Sequence, residues 1–328
     1  SIKTFKLDLS GYNILLPASV KEPALAPLMA SMAGAKNVYV VARGNEVINK
    51  TSFCQKELGL TGNINFIEQE TEYILSGLDI IIKGEGMTNI NSNYVSCLKE
   101  DCVISSLPPD LDFYNYSGIN LQDCAEKKIP VVSLDPNDKT LMLYKYFANL
   151  VVKRCYAFDI DIFRSKILLV GNGELLETTL SLLKTSGAQV YAVYTDKQWN
   201  QSYIIKHLAE VDAIIVLDYP QKLPSVIGTE GLIRIDNIVD INPGVKIIHL
   251  AGKIDINSLI LGRIDFMPEV IQQNSLSINA RELGLRAVSE ITAAVMKAAD
   301  SLIKTRNRSI TSDESVVSYN IVNADGPV

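Results

Sequence analysis

The chain has 328 residues, 47% apolar and 21% charged, with 31 basic against 37 acidic side chains and a net charge of -6. That length suits two domains, and the apolar content excludes a disordered chain. The acidic balance, without any long Lys/Arg cluster, points away from nucleic acid and anionic membranes, which need a basic face.

In chain order, short Val/Ile-rich runs alternate with segments of helical period. Strands are predicted over 13–17, 37–42, 78–83, 102–107 and 130–133, then over 166–170, 189–194, 211–217, 231–235 and 245–250. Most lack polar alternation, the mark of strands buried on both faces of a parallel sheet. Helices are predicted between them, among them 23–33, 91–99, 121–127 and 175–185. A long apolar helix from 138 to about 155 connects two such units, and a second one covers 278–304. The β-prone stretch 315–322 in the tail adds a strand or packs on the first domain. The expected class is α/β, with two Rossmann-like doubly wound domains and a cleft between them.

The five cysteines (Cys54, Cys97, Cys102, Cys124, Cys155) form no CxxC, and the chain has two histidines. No metal site is expected from that set. Reduced thiols fit a cytoplasmic protein, and the first residues carry no apolar leader. No run approaches the length of a membrane-spanning helix.

One motif carries chemistry. The strand 166–170 runs into Gly171-Asn172-Gly173, and helical period follows from Glu174 and Leu175. Gly171 permits a tight turn, Gly173 lets the backbone approach a pyrophosphate, and the helix start offers unpaired N–H groups. Leu176 stands where a third Gly or Ala usually permits close packing. The second strand ends on Tyr194, where an acid commonly binds the adenosine ribose, and Thr195, Asp196 and Lys197 follow. A hydroxyl and a lysine suit a 2′-phosphate, while Asp196 suits a free ribose, so both NAD and NADP stand as cofactors. The competing reading is a Rossmann unit without a ligand.

Several segments, in the same order and spacing, resemble the D-isomer-specific 2-hydroxyacid dehydrogenases. They are 119–133, Val211 to Pro220, Asn242 to Leu250, Ala251-Gly252-Lys253-Ile254-Asp255, and Gly262 to Glu269. The resemblance implies a flavodoxin-like substrate domain, 1–140 with the tail 305–328, and an NAD(P)-binding Rossmann domain, 141–304. It implies a homodimer and a small-molecule substrate. Asp218, Pro220, Leu250 and Ala251 would line the cofactor, Asp265 would orient the nicotinamide amide, and Glu269 would hold the family's Glu position.

The sequence departs from that family where its chemistry lies. No Arg occupies the Ala251-Gly252-Lys253 turn, and no His lies near residues 272–274. Lys253 and His249 are the basic groups left nearby. Lys253 either replaces the Arg as a point charge or is solvated. His249 is either an acid/base or a core histidine, and His207 is expected on a helix surface. In the first domain, strand-end loops supply Arg43 and the Lys83-Gly84-Glu85 stretch for substrate, with Glu85 also a candidate acid. Three functions follow: an NAD(P)-dependent oxidoreductase acting on a carbonyl, imine or hydroxyl, a retired dehydrogenase scaffold that binds and regulates, and an adenosylhomocysteine-hydrolase-like enzyme with a transiently redox-active cofactor.

Overall fold

The computed structural model describes residues 1–18, 24–42, 44–60, 62–107, 116, 118–197, 199, 201–272, 276–278, 280–307, 318–323 and 326–327. The chain divides into two compact units, Ser1–Leu141 with Gly284–Val328, and Met142–Leu283. The second crossing therefore falls at 283/284, not at the expected 304. The expected single helix is two, Ala280–Leu283 and Leu285–Asn307, separated by Gly284 at φ 88°. That left-handed backbone favours glycine and ends the first helix. The longer helix belongs to the first unit, where Ala293, Ala294, Ala298 and Ala299 are buried and let it lie close to the sheet. Ser105 of that sheet donates its hydroxyl to the Val295 carbonyl at 3.0 Å.

In the first unit, β1 (Asn13–Pro17), β2 (Asn37–Val41), β3 (Ile64–Ile67), β4 (Ile80–Lys83), β5 (Val103–Ser106) and β6 (Val131–Leu134) form one sheet. Their order is β3-β2-β1-β4-β5-β6, and these neighbours are parallel. Ile80, Ile81 and Ile82 are each 0% exposed, so β4 is covered on both faces. The tail strand Tyr319–Asn323 joins β6 antiparallel, with Ile321 opposite Val132. The β-prone tail thus adds a strand to the first unit, although 315–317 lie outside the described residues.

In the second unit, β7 (Lys166–Gly171), β8 (Gln189–Tyr194) and β9 (Ala213–Leu217) are followed by the two-residue strands β10 (Ile227–Gly228) and β11 (Ile233–Arg234). Then come β12 (Lys246–Ala251) and β13 (Phe266–Met267). The main sheet runs β13-β12-β9-β7-β8, all parallel.

These orders reverse the expected assignment. The first unit has the 3-2-1-4-5-6 order of dinucleotide folds, and the second has the flavodoxin order 2-1-3-4-5. The cause lies in two short segments. The four-residue β3, unseen in the sequence pattern, extends the first sheet past β2. In the second unit the helix Gln201–Leu208 leads from β8 straight to β9, with no strand outside β8 among the described residues.

The helix Leu143–Ala157 opens the second unit and places Arg154, 2% exposed, inside it. Its guanidinium donates to the carbonyls of His249 and Ser277, both at 2.6 Å, and to the Glu282 carboxylate at 2.9 and 3.3 Å. The planar fork thus ties this helix to β12 and to the segment that closes the unit. Arg154→Met keeps the volume and strips those bonds. We expect a loss of about 3 kcal/mol in urea unfolding, the cost of leaving two carbonyls without their donor and of losing the bonds to a partly exposed carboxylate. A loss within 0.5 kcal/mol of zero, the usual range for surface substitutions, would contradict this role.

Candidate functional site

The chain order in the second unit reverses at β7, so the crevice beyond the carboxyl ends of β7 and β9 is where doubly wound sheets hold ligands. Three side chains meet there. Asn172, at the end of β7, donates from Nδ2 to Asp218 Oδ1 at 2.6 Å, to Thr195 Oγ1 at 3.0 Å and to the Pro220 carbonyl at 3.2 Å. The Thr195 hydroxyl donates to the same Asp218 oxygen. The backbone N–H groups of Lys222 and Leu223 donate to Asp218 Oδ2 at 3.1 and 3.0 Å. Asp218 is 1% exposed, so these donors replace its water.

The glycines serve this geometry differently from expectation. Gly171 ends a strand rather than making the turn. A Cβ there would sit 2.7 Å from the Leu217 carbonyl carbon, so Gly171 permits the close approach of β7 and β9. Gly173, at φ 62°, carries the left-handed turn and is exposed. Leu176 is buried in the core, and its helix packs through it where the usual motif has a small residue.

Asn172 occupies the N-cap position of helix Gly173–Thr185 with extended backbone, φ -152° and ψ 174°, yet its side chain makes no cap bond. An Asn with that backbone would ordinarily satisfy an N–H of the first turn. Here Asp218 and Thr195 hold it elsewhere, which leaves the first-turn donors, including those of exposed Glu174 and buried Leu175, to another acceptor. These residues fit a dinucleotide pyrophosphate.

At the end of β8, Tyr194 donates its hydroxyl to Glu177 at 2.9 Å, and the Lys197 ammonium lies 4.1 Å from the ring centroid. The hydroxyl of Thr195, expected to face a 2′-phosphate, is committed to Asp218 instead. Asp196 and Lys197 are exposed beside it.

The expected catalytic groups are scattered. His249 is 0% exposed inside β12, and its Nε2–H donates to the Gly252 carbonyl at 2.6 Å. A carbonyl only accepts, so the proton sits on Nε2 and leaves Nδ1 bare and unpartnered. Burial, followed by the charge of Arg154, lowers its pKa to about 4. This is a core histidine with no face toward a substrate. Leu250 is buried, and the Ala251 carbonyl accepts the Asp218 N–H at 3.1 Å. Lys253 is exposed at the rim of a cavity of about 550 Å³ shared with Ser225, Thr229, Glu230, Asp255 and Asn257. Glu269 is exposed after β13.

Asp265 cannot do what the resemblance implied. Phe266 is in register with Ile247, so Asp265 sits level with the start of β12, whereas Ala251 ends it. That is the opposite edge of the sheet from Asn172. His207 is also displaced from expectation: it is buried, stacked on Tyr191 at 3.8 Å and bonded to Glu210 at 3.0 Å.

In the first unit the sheet reverses between β1 and β4, and Lys83 ends β4 at 8% exposure. Gly84 is buried, and a Cβ there would meet the Pro17 ring at 2.8 Å. Glu85 is exposed. Arg43 lies outside the described residues, as do residues 273–274 of the stretch that lacks a His. Among the described residues no cluster fit for a metal is found, and no helix is long and apolar enough to cross a membrane.

No family model matches the chain, and no curated protein matches it. Solved structures do. A component of the dipicolinate synthase of Bacillus halodurans aligns over 92% of this chain and 99% of its own, at 14% identity and TM-score 0.59. NAD-dependent formate dehydrogenase from Staphylococcus aureus, in complex with NAD, aligns over 93% and 98%, at 11% identity and TM-score 0.52. A 2-hydroxyacid dehydrogenase from Ketogulonicigenium vulgare aligns over 91% and 96%, at 14% identity and TM-score 0.50. The chain shares their two-domain dehydrogenase fold. At such identities the likeness is one of fold, and it does not restore an Arg or a His to the positions where this sequence lacks them.

Residue order alone does not reveal the mutual bonding of Asn172, Thr195 and Asp218. The available signal is three polar residues at the ends of three consecutive strands, each just past an apolar run.

The buried His249 has a measurable consequence. Its pKa falls from the ordinary 6.5 to about 4 on folding, so between those values the unfolded chain holds a proton that the folded one refuses. Stability is complete above pH 6.5 and declines as pH falls towards 4, by up to about 1.4 kcal/mol per unit. Replacing His249 with Gln should flatten that slope between pH 6.5 and 5 in urea titrations. An unchanged slope would mean the histidine is solvated.

Proposed function

We propose that the chain is an NAD(P)-dependent oxidoreductase acting on a carbonyl, imine or hydroxyl group of a small molecule. The observation that carries this reading is the diverted Asn172 side chain, which leaves the start of helix Gly173–Thr185 uncapped at the reversal point of its sheet. A bound nicotinamide dinucleotide supplies the hydride chemistry, and the protein supplies position and charge. The pyrophosphate rests on Gly173, Glu174 and Leu175. Tyr194, Asp196 and Lys197 meet the adenosine end, where Lys197 favours the 2′-phosphate of NADP and Asp196 the free ribose of NAD. Lys253 and Glu269 remain the groups of this unit able to meet a polar substrate. In the first unit, Lys83, Gly84 and Glu85 stand at the carboxyl end of β4, the edge where doubly wound sheets hold ligands.

A homodimer and a cytoplasmic setting belong to the same reading, the latter supported by five unpaired cysteines. One observation favours a rival. With His249 sealed in the core and Ala251 in place of an Arg, the second unit has no ordinary acid/base, as a scaffold that binds a dinucleotide without turnover would. A hydrolase-like enzyme would instead carry a copurified dinucleotide and show no net hydride transfer.

Fluorescence titration with NADH and NADPH tests the proposal. We expect one of them to bind, and Gly173→Val to weaken that binding at least tenfold, roughly 1.4 kcal/mol. The substitution also places a β-branched residue in a left-handed turn, so a melting curve should accompany it. Lys197→Ala should lower affinity for NADPH and spare NADH. Failure of both dinucleotides to bind at millimolar concentration would end the oxidoreductase reading. Binding of one, with no turnover across carbonyl and imine compounds, would favour the scaffold.

A further inference from the structure

The carboxyl edge of the first sheet carries a cation and hydroxyl groups on one face. Ile81, Ile104 and Val131 of β4, β5 and β6 are in register and belong to one apolar cluster. Side chains alternate between the faces of a strand, so the residues two places on, Lys83, Ser106 and Ser133, turn to that same face. Lys83 and Ser106 are register partners, and the three are buried at 8%, 5% and 1% exposure. Lys83 ends its strand beside the point where the chain order reverses between β1 and β4, and Ser106 ends the next strand. The Ser133 hydroxyl lies 3.1 Å from that of Tyr116.

The Lys83 ammonium is held by two long bonds. It donates to the carbonyls of Gly84 at 3.3 Å and Met87 at 3.5 Å, and among the described residues it joins no ion pair. Gly118, at φ 82°, lies against it: a Cβ there would stand 3.5 Å from Nζ. Buried cations elsewhere in the chain have close anions. Arg154 meets Glu282 at 2.9 Å, and Lys297 meets Asp300 at 2.8 Å. Burial lowers the Lys83 pKa, and Glu70 opposes that shift, although the Glu70 carboxylate accepts the Thr88 N–H at 3.3 Å. Glu85 is exposed on the loop after β4.

We propose that Lys83 and Ser106 form an oxyanion-binding site in the first unit, which takes a carboxylate or phosphate group of a small molecule. An ammonium has three N–H donors, and two long bonds to carbonyls leave it one for an acceptor from outside the chain. The Ser106 hydroxyl supplies a neutral donor on the neighbouring strand. A lysine serves as a point charge and suits either oxyanion, where an arginine fork would favour a planar, bidentate partner. An anion at this place meets a charge already stripped of most of its water, so the attraction exceeds that at a surface lysine. The carboxyl edge at a reversal point is also where doubly wound sheets hold ligands. The site lies wholly within the first unit and does not depend on dinucleotide binding by the second.

The test uses the full chain, with sulfate as the phosphate-like probe, acetate as the carboxylate, and chloride at equal ionic strength as the control. Nuclear magnetic resonance follows the 15N-labelled amine of Lys83, assigned by its absence in Lys83→Met and again in Lys83→Arg. That amine should titrate below the exposed lysines, and its midpoint should rise when an oxyanion binds, because the anion favours the charged form. We expect the rise to saturate with sulfate, acetate or both and not with chloride. Ser106→Ala should raise the half-saturating concentration at least about threefold. A response to one probe alone identifies the group that is taken. A Lys83 amine that responds to both probes no more than exposed lysines do would overturn the assignment, as would saturation unchanged in Ser106→Ala. Either result leaves the dinucleotide reading standing, and failure of both dinucleotides to bind leaves this site standing.

Discussion

The carboxylate of Asp218 is the point on which the geometry of the second unit turns. A buried carboxylate is costly unless each oxygen is met by donors. Asp218 meets them from β7 through Asn172, from β8 through Thr195, and from its own loop through the N–H groups of Lys222 and Leu223. The ends of three strands are therefore fixed to one another by a single side chain. The close approach this needs explains two glycines: Gly171 against Leu217, and Gly252, where a Cβ would stand 2.8 Å from the Asp218 Cβ.

The same bonds decide what the crevice has left to offer. Asn172 cannot cap its helix while it serves Asp218, so the first-turn donors stay open. Thr195 cannot serve a ribose or a phosphate while it serves Asp218, which leaves Tyr194, Asp196 and Lys197 as the other polar side chains there. One carboxylate thus leaves donors open at the start of the helix and takes up the hydroxyl at the end of β8.

Much of this is legible in residue order. The apolar run ending in Gly171-Asn172-Gly173 marks the strand, turn and helix, and the Ile80-Ile81-Ile82 run marks a strand covered on both faces. What fails is whatever depends on partners distant in sequence. The strand orders are not legible there, because β3 is four residues long and no local pattern reveals which edge it joins. The family resemblance puts Asp265 beside the nicotinamide. Register is set by pairing, however, and the two-residue β13 puts it at the far end of β12. The break at Gly284 is hidden because apolar period continues through it on both sides, while a single left-handed residue redirects the chain into the other unit.

The two units also show how a buried charge can be read. Each sheet has one point where its strand order reverses, and an ionisable side chain is buried beside each, Asp218 in the second unit and Lys83 in the first. Their burial is comparable, at 1% and 8% exposure, yet their surroundings are not. Asp218 is surrounded by donors, so its charge is spent on holding strands together. Lys83 has two carbonyls at 3.3 and 3.5 Å and no anion among the described residues. Exposure alone would class both as structural. Hydrogen-bond satisfaction separates them. On that ground Asp218 joins three strand ends, whereas the bonds of Lys83 go to the loop that follows its own strand.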